Sequence, residues 1–178
     1  MRMAGDADEE LDLTTPPREI LTWDGFGAAS RELAASIRHS GFEPTVLLAI
    51  ARGGLPVAGA LGYALGIKNC MVINVEFYTG VDQRLEVPVI LPPALNLVDL
   101  TNARVLVVDD VADTGETLLL VAEQVRRHVA EVRTAVLYEK PRSAVRCDYV
   151  WRRTTRWIDF PWSAPDVTPP VGRDGGPA

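Results

Sequence analysis

Cysteine, histidine, positive charge and long apolar runs are all scarce in this chain, and each scarcity closes a class of function. Among 178 residues there are two cysteines, Cys70 and Cys147, far apart and without metal-ligand spacing. That excludes a disulfide framework and reads as two buried small side chains. The two histidines, His39 and His128, fall in stretches of helical periodicity as surface or packing residues. No nucleophile–base constellation assembles around either. No window approaches the roughly 18 consecutive apolar residues of a membrane helix, and the opening MRMAGDADEE is polar and acidic where a secretory signal has its apolar centre. Lys and Arg number 18 against 24 Asp and Glu, a formal net charge of −6, which argues against non-specific attraction to nucleic acid or an anionic membrane. A cytoplasmic globular domain is what these absences leave.

Enough apolar material is present, 47% of residues, for one sizeable core. Residues 1–16 read as a flexible leader and residues 163–178, rich in Pro and Gly, as a flexible tail, so the expected folded unit is 17–162. Within it, Phe26, Ala29, Leu33, Ala34 and Ile37 recur at helical spacing after the N-cap candidates Thr22 and Asp24, and Gly41 ends the run. TVLLAIA, 45–51, is a short continuous apolar run suited to a strand buried on both faces. A helix is expected from Leu55 to Gly66, strands over 70–78, 104–109, 132–138 and 149–151, and a helix over 116–129. The segment between Thr79 and Leu100, interrupted by Val87-Pro88 and Pro92-Pro93, reads as an irregular excursion with room for a short hairpin. Alternating strands and helices predict an α/β fold, a mostly parallel central sheet flanked by helices. Ligands of such folds sit outside the carboxyl ends of the strands.

At one of those ends lies VLVVDDVADTGET, Val105 to Thr117. Two adjacent carboxylates, Asp109 and Asp110, close an apolar run, and Asp113-Thr114-Gly115-Glu116-Thr117 leads into a helix. The backbone N–H groups there, with the Thr114 and Thr117 hydroxyls, can surround a phosphate at the positive helix end. The carboxylates can accept from vicinal ribose hydroxyls or hold Mg²⁺. Amides for phosphate and acids for sugar together suit a phosphorylated ribose. The string has neither the glycine spacing of a dinucleotide fingerprint nor the Gly-Lys-Ser/Thr of a Walker A loop. A second strand end carries AIARGGLP, 49–56, where adjacent glycines let backbone amides approach an anion and Arg52 supplies fixed donors.

These motifs resemble the type I phosphoribosyltransferases, whose signature is four apolar residues, two acids and a loop with Asp-Thr-Gly and a Thr that binds 5-phosphoribosyl 1-pyrophosphate (PRPP). The order of LTWD, ARGGLPVAGALGYALGI, the acidic motif, KP, DYV and TRWIDFPW resembles the small xanthine-guanine, or 6-oxopurine, subgroup over residues 20–162. The resemblance implies a type I phosphoribosyltransferase-like fold with a hood formed by terminal segments near 149–162. It implies that Asp109 and Asp110 engage the ribose and help place Mg²⁺, that Ala112, Asp113, Thr114, Gly115, Glu116 and Thr117 form the 5-phosphate loop, and that Asp113 is an acid/base near the purine imidazole. Arg52, Gly53 and Gly54 would form the pyrophosphate loop, with Ala51-Arg52 the candidate for a cis peptide. Tyr78 and Arg84 would belong to a flexible loop closing over PRPP. Lys140 would donate to a purine carbonyl, Trp157 and Ile158 would cover the base, and Asp159 would lie near its six-membered ring. Three positions depart from relatives: Glu116 where a small residue is common, Asp159 where a glutamate is familiar, and Ser163 where an aspartate follows Pro-Trp.

The implied activity is purine salvage: transfer of the 5-phosphoribosyl group from PRPP to guanine, xanthine or hypoxanthine, giving a nucleotide and pyrophosphate, with Mg²⁺ as cofactor and a homodimer or homotetramer as the assembly. Two alternatives are a phosphoribosyltransferase for another base and a PRPP-binding regulatory protein without turnover. A purely structural domain leaves both anion sites unexplained.

Overall fold

A computed structural model describes residues 17–78, 87–91 and 100–163. Contacts divide the chain into two compact units, residues 23–155 and a terminal unit built from residues up to Thr22 together with those from Arg156.

The larger unit is a sheet of β4 (Val87–Ile90), β3 (Cys70–Tyr78), β2 (Val46–Ala51), β5 (Arg104–Ala112), β6 (Glu131–Glu139) and β7 (Tyr149–Arg153), in that order. The last five run parallel, and only β4 is antiparallel, paired with β3 through Val75↔Ile90 to Tyr78↔Val87. Of the excursion, one described strand, β4, joins the sheet, and its partner β3 lies before it. Pro88 is tolerated because β4 is an edge strand, where a missing donor need not break a ladder.

β2 and β5 read as continuous apolar runs because both of their faces are covered. Val46, Leu48, Ile50, Val105 and Val107 share one cluster with Leu118, Val121 and Val125 of α3 (Glu116–Arg126). Residues between them, Leu47, Ala49, Leu106 and Val108, are equally buried, and strand alternation turns them to the opposite face. There Leu47 lies beside Gly62 of α2 (Gly54–Leu65). α1 (Trp23–His39) packs against α2 on that face and reaches β6 and β7.

The helical stripes follow the apolar spacing closely. Phe26, Ala29, Leu33, Ala34 and Ile37 are all buried, with Ser30 added because its hydroxyl donates to the Phe26 carbonyl at 2.8 Å. α2 buries Val57, Ala58, Leu61 and Gly62, and the small Gly62 at the contact lets the helix come close to Leu47. Gly66, at φ 77°, closes α2. α3 stops at Arg126, and Val129, expected within it, packs against the core from beyond its end.

The terminal unit holds two strands that no periodicity announced, β1 (Arg18–Ile20) and β8 (Trp157–Asp159). They pair in parallel, Arg18↔Trp157 to Ile20↔Asp159, and the Leu21 amide donates to the Asp159 carbonyl at 2.9 Å. Phe160 and Trp162 stack with centroids 5.0 Å apart. The segment from Tyr149, grouped with the hood in the sequence reading, pairs instead with β6 as an outer strand of the large sheet. Cys70, expected to be buried, is exposed at the start of β3, whereas Cys147 is buried; both thiols are free. No helix among the described residues is long and apolar enough to cross a membrane.

Candidate functional site

The parallel strands β2, β5 and β6 bring their carboxyl ends to one edge of the sheet, and with them Arg52, Asp109, Asp110 and Lys140. The peptide between Ala51 and Arg52 is cis. Arg52 is exposed, and Gly53 and Gly54 follow it into α2 without any side-chain cap on the helix start. Both glycines face β5, Gly53 against a side chain and Gly54 against backbone that cannot give way. A Cβ on Gly53 would fall within the Asp110 carboxylate, and one on Gly54 would run into the Val108 carbonyl oxygen. The Arg-Gly-Gly backbone is thus pressed directly against the acidic strand end.

The two acids are not equivalent. Burial raises the Asp109 carboxyl well above the usual carboxylate range, the Asp110 charge pushes the same way, and a hydrogen bond from the Asp110 amide to Asp109 Oδ1, 2.9 Å, opposes them. No group of three or more His, Cys, Asp or Glu side chains able to hold a metal occurs among the described residues. An adjacent carboxylate pair fits Mg²⁺, which keeps much of its water and takes other oxygens from a phosphorylated substrate.

Beyond Ala112, buried at the end of β5, the chain turns through Asp113, Thr114 and Gly115 into α3. Gly115 adopts φ 79°, and α3 begins without a side-chain cap. The Glu116 amide makes a long hydrogen bond to Thr114 Oγ1, 3.5 Å, and a helix start of this kind suits an anion. Glu116 is exposed at the first helical position and Thr117 half-buried. Gly115 is required twice, by its positive φ and because a Cβ there would strike Ser143 and approach the backbone nitrogens of Ala144 and Val145.

That contact reveals a second loop lying over the first. Lys140 N–H donates to the Ala112 carbonyl at 3.0 Å, and Ala144 N–H donates to the Thr114 carbonyl at 2.7 Å. Between these rungs Arg142 faces Asp113, its Nε donating to Asp113 Oδ1 at 2.9 Å and its Nη2 to Oδ2. The Lys140 side chain is buried at the loop's beginning.

Glu139, just before Lys140, has no exposed side-chain surface. Its Oε1 accepts from Arg146 and Arg153, each at 2.9 Å, and its Oε2 from the Cys147 amide at 2.8 Å. Burial pushes this carboxyl upward, but those donors outweigh it and leave the group below its ordinary value. The Cys147 thiol is raised to about 12, first by its own burial and then by Glu139, so it is no nucleophile.

In the terminal unit Trp157 is exposed, Ile158 buried, and Asp159 bound by Arg18, whose Nε donates to Oδ2 at 2.6 Å. The Arg18 guanidinium also lies 5.9 Å from the Trp157 ring centre. Its hydrogen bond and charge hold the Asp159 carboxyl below the usual range. Tyr78 is the last residue of β3; Arg84, the other expected loop residue, lies outside the described residues.

The large unit thus gathers Arg52, Gly53, Gly54, Asp109, Asp110, the 112–117 loop and Lys140 at neighbouring strand ends. Trp157, Ile158 and Asp159 belong to the other unit. Sequence reading missed Arg142, Arg18 and Glu139. The first two pair across long gaps that no spacing rule spans, whereas a glutamate closing the apolar run of β6 was a visible anomaly.

The sequence pattern of the phosphoribosyl transferase domain matches residues 18–168. A xanthine-guanine phosphoribosyltransferase of Gluconobacter oxydans is 32% identical over 161 residues, covering 88% of this chain and 91% of the relative. Another from Ruegeria is 31% identical over 153 residues, 80% of this chain and 83% of that protein. Among solved structures, a purine phosphoribosyltransferase from Pyrococcus horikoshii superposes with a TM-score of 0.73 at 40% identity, covering 85% of this chain and 98% of that one. With the acidic strand end, its two flanking loops and the parallel sheet beneath them, this chain belongs to the phosphoribosyl transferase domain family.

Proposed function

We propose that the protein is a Mg²⁺-dependent purine salvage enzyme transferring the 5-phosphoribosyl group of PRPP to a 6-oxopurine, guanine, xanthine or hypoxanthine. The observation that carries this reading is the contact between Gly53 and Asp110: it sets the Arg-Gly-Gly loop beside the acidic strand end that continues into the Asp113–Thr117 loop. Two anion-binding backbones flanking a carboxylate pair suit a ribose with phosphate at one end and pyrophosphate at the other.

In this reading the 112–117 loop binds the 5-phosphate, Asp109 and Asp110 accept from the ribose hydroxyls, and Arg52 with Gly53 and Gly54 holds the pyrophosphate. Mg²⁺, held by the carboxylate pair and substrate oxygens, would neutralise charge on the leaving group. Lys140 donates to the purine carbonyl, which selects an oxopurine over adenine. Trp157 and Ile158 cover the base, and Asp159 discriminates near its six-membered ring. Asp113 takes the imidazole N–H proton of the purine as the other ring nitrogen bonds to the ribose carbon and the bond to pyrophosphate breaks. Tyr78 and Arg84 belong to the segment that closes over PRPP and excludes water. No covalent enzyme intermediate is needed; alignment and electrostatic stabilisation supply the catalysis. The enzyme would work in the cytoplasm as a homodimer or homotetramer.

The test is Mg²⁺-dependent pyrophosphate release from PRPP with guanine, xanthine, hypoxanthine, adenine or uracil, with direct detection of the nucleotide. Preferential turnover of an oxopurine is expected. Saturable PRPP binding without nucleotide from any base would overturn the salvage reading in favour of a PRPP-binding regulator.

A further inference from the structure

The loop after β6 does more than present Lys140. Its two backbone rungs, Lys140 N–H to Ala112 O and Ala144 N–H to Thr114 O, fix it alongside the 112–114 segment. Arg142 and Asp113 then stand opposite each other between the rungs, with one guanidinium nitrogen on each carboxylate oxygen. The Ser143 amide donates to the Lys140 carbonyl at 3.0 Å, tightening the turn that carries Arg142. A planar guanidinium held by two parallel bonds fixes the carboxylate plane as well as its position.

Stability is a poor explanation for this pair. The Arg142 side chain is 67% exposed and that of Asp113 38%, and ion pairs so open to water contribute about 0–1 kcal/mol. What the pair supplies is orientation. Each carboxylate oxygen keeps a further lone pair after accepting from Arg142, so Asp113 can still receive a purine N–H, and the guanidinium decides which lone pairs are turned outward.

Resting on the salvage reading and its role for Asp113, we infer that Arg142 is a positioning residue for the transfer step: it holds the Asp113 carboxylate in the orientation that meets the purine, and ties that orientation to the loop carrying Lys140. In this inference Arg142 acts through Asp113 and not on either substrate directly. Its contribution passes entirely through Asp113, so it belongs to kcat and not to PRPP affinity.

The experiment is a double-mutant cycle with Arg142→Ala, Asp113→Asn and the combination, plus Arg142→Lys, using the full chain with PRPP and the oxopurine best turned over. Arg142→Ala is expected to lower kcat about tenfold, the scale of coupling between contacting residues, with the PRPP KM and the melting temperature essentially unchanged. Arg142→Lys should recover part of the loss, since an ammonium keeps the charge but not the fork. In the Asp113→Asn background Arg142→Ala should change kcat less than about twofold. An unchanged kcat in Arg142→Ala, or the same drop with and without the Asp113 carboxylate, would overturn the inference. Wild-type protein that makes no nucleotide from any oxopurine would overturn the salvage reading itself, a separate result.

Discussion

At the scale of single residues the proposed site separates into groups that hold PRPP and groups that meet the base, and substitutions should separate likewise. Asp113→Asn is expected to lower kcat by about 10²–10⁴-fold, the usual weight of an acid/base group, while the PRPP KM stays near wild type. Arg52→Ala removes a charged donor worth about 1.5–3 kcal/mol, so the PRPP KM should rise roughly 10- to 100-fold with a smaller change in kcat. Steady-state kinetics varying PRPP at saturating base distinguishes the two, and small, equal effects would sink the division. The acidic motif and the Arg-Gly-Gly turn were legible because their chemistry is local: contiguous carboxylates, glycines and hydroxyls at a strand end. Arg142 on Asp113, 29 residues away, and Arg18 on Asp159, 141 residues away, were not, because a long flexible side chain leaves no mark on periodicity.

At the scale of elements, β6 carries the least ordinary feature, a carboxylate with no solvent contact at its final residue. Glu139 joins β6 to β7 through Arg153 and to the intervening loop through Arg146 and the Cys147 amide, and it immediately precedes Lys140. Since its folded pKa is lowered from 4.5, its stabilising contribution is complete above that value and is lost as pH falls through the folded one. Glu139→Gln should therefore cost about 1–2 kcal/mol near neutrality, roughly 3–6 °C in melting temperature, and the gap to wild type should narrow as pH falls from 4.5 through the lowered folded value. Thermal melts across that pH range check it; a gap independent of pH would mean that packing, and not charge, was lost. The helices were read well from sequence because a 3.6-residue stripe is redundant, with five of the six buried positions in α1 anticipated. β1 and β8, three residues each, are too short to show alternation, and only their mutual pairing makes them strands.

At the scale of the whole molecule, the parallel sheet explains why chemistry from β2, β5 and β6 converges, which the α/β pattern foretold. The division into two units it did not foretell, since the terminal unit draws on both sequence ends. The division suggests a kinetic signature: Trp157, 63% exposed, contributes little to the core, and base stacking on an aromatic ring is worth about 1–3 kcal/mol. Trp157→Ala is expected to raise the purine KM about tenfold on that scale while the PRPP KM is unchanged. Equal shifts in both constants would show that the terminal unit supports the fold and not base recognition.

The pairing of β1 with β8 also sets an order on the assembly of the terminal unit. Arg18 leaves the ribosome 141 residues ahead of its partner Asp159, a wait of roughly 7–30 s at ordinary translation rates of about 5–20 residues per second. The large unit has its described strands once Arg153 emerges, whereas the pairing of β1 with β8 must wait for Asp159. A nascent chain arrested before Trp157 would carry β1 without its partner strand.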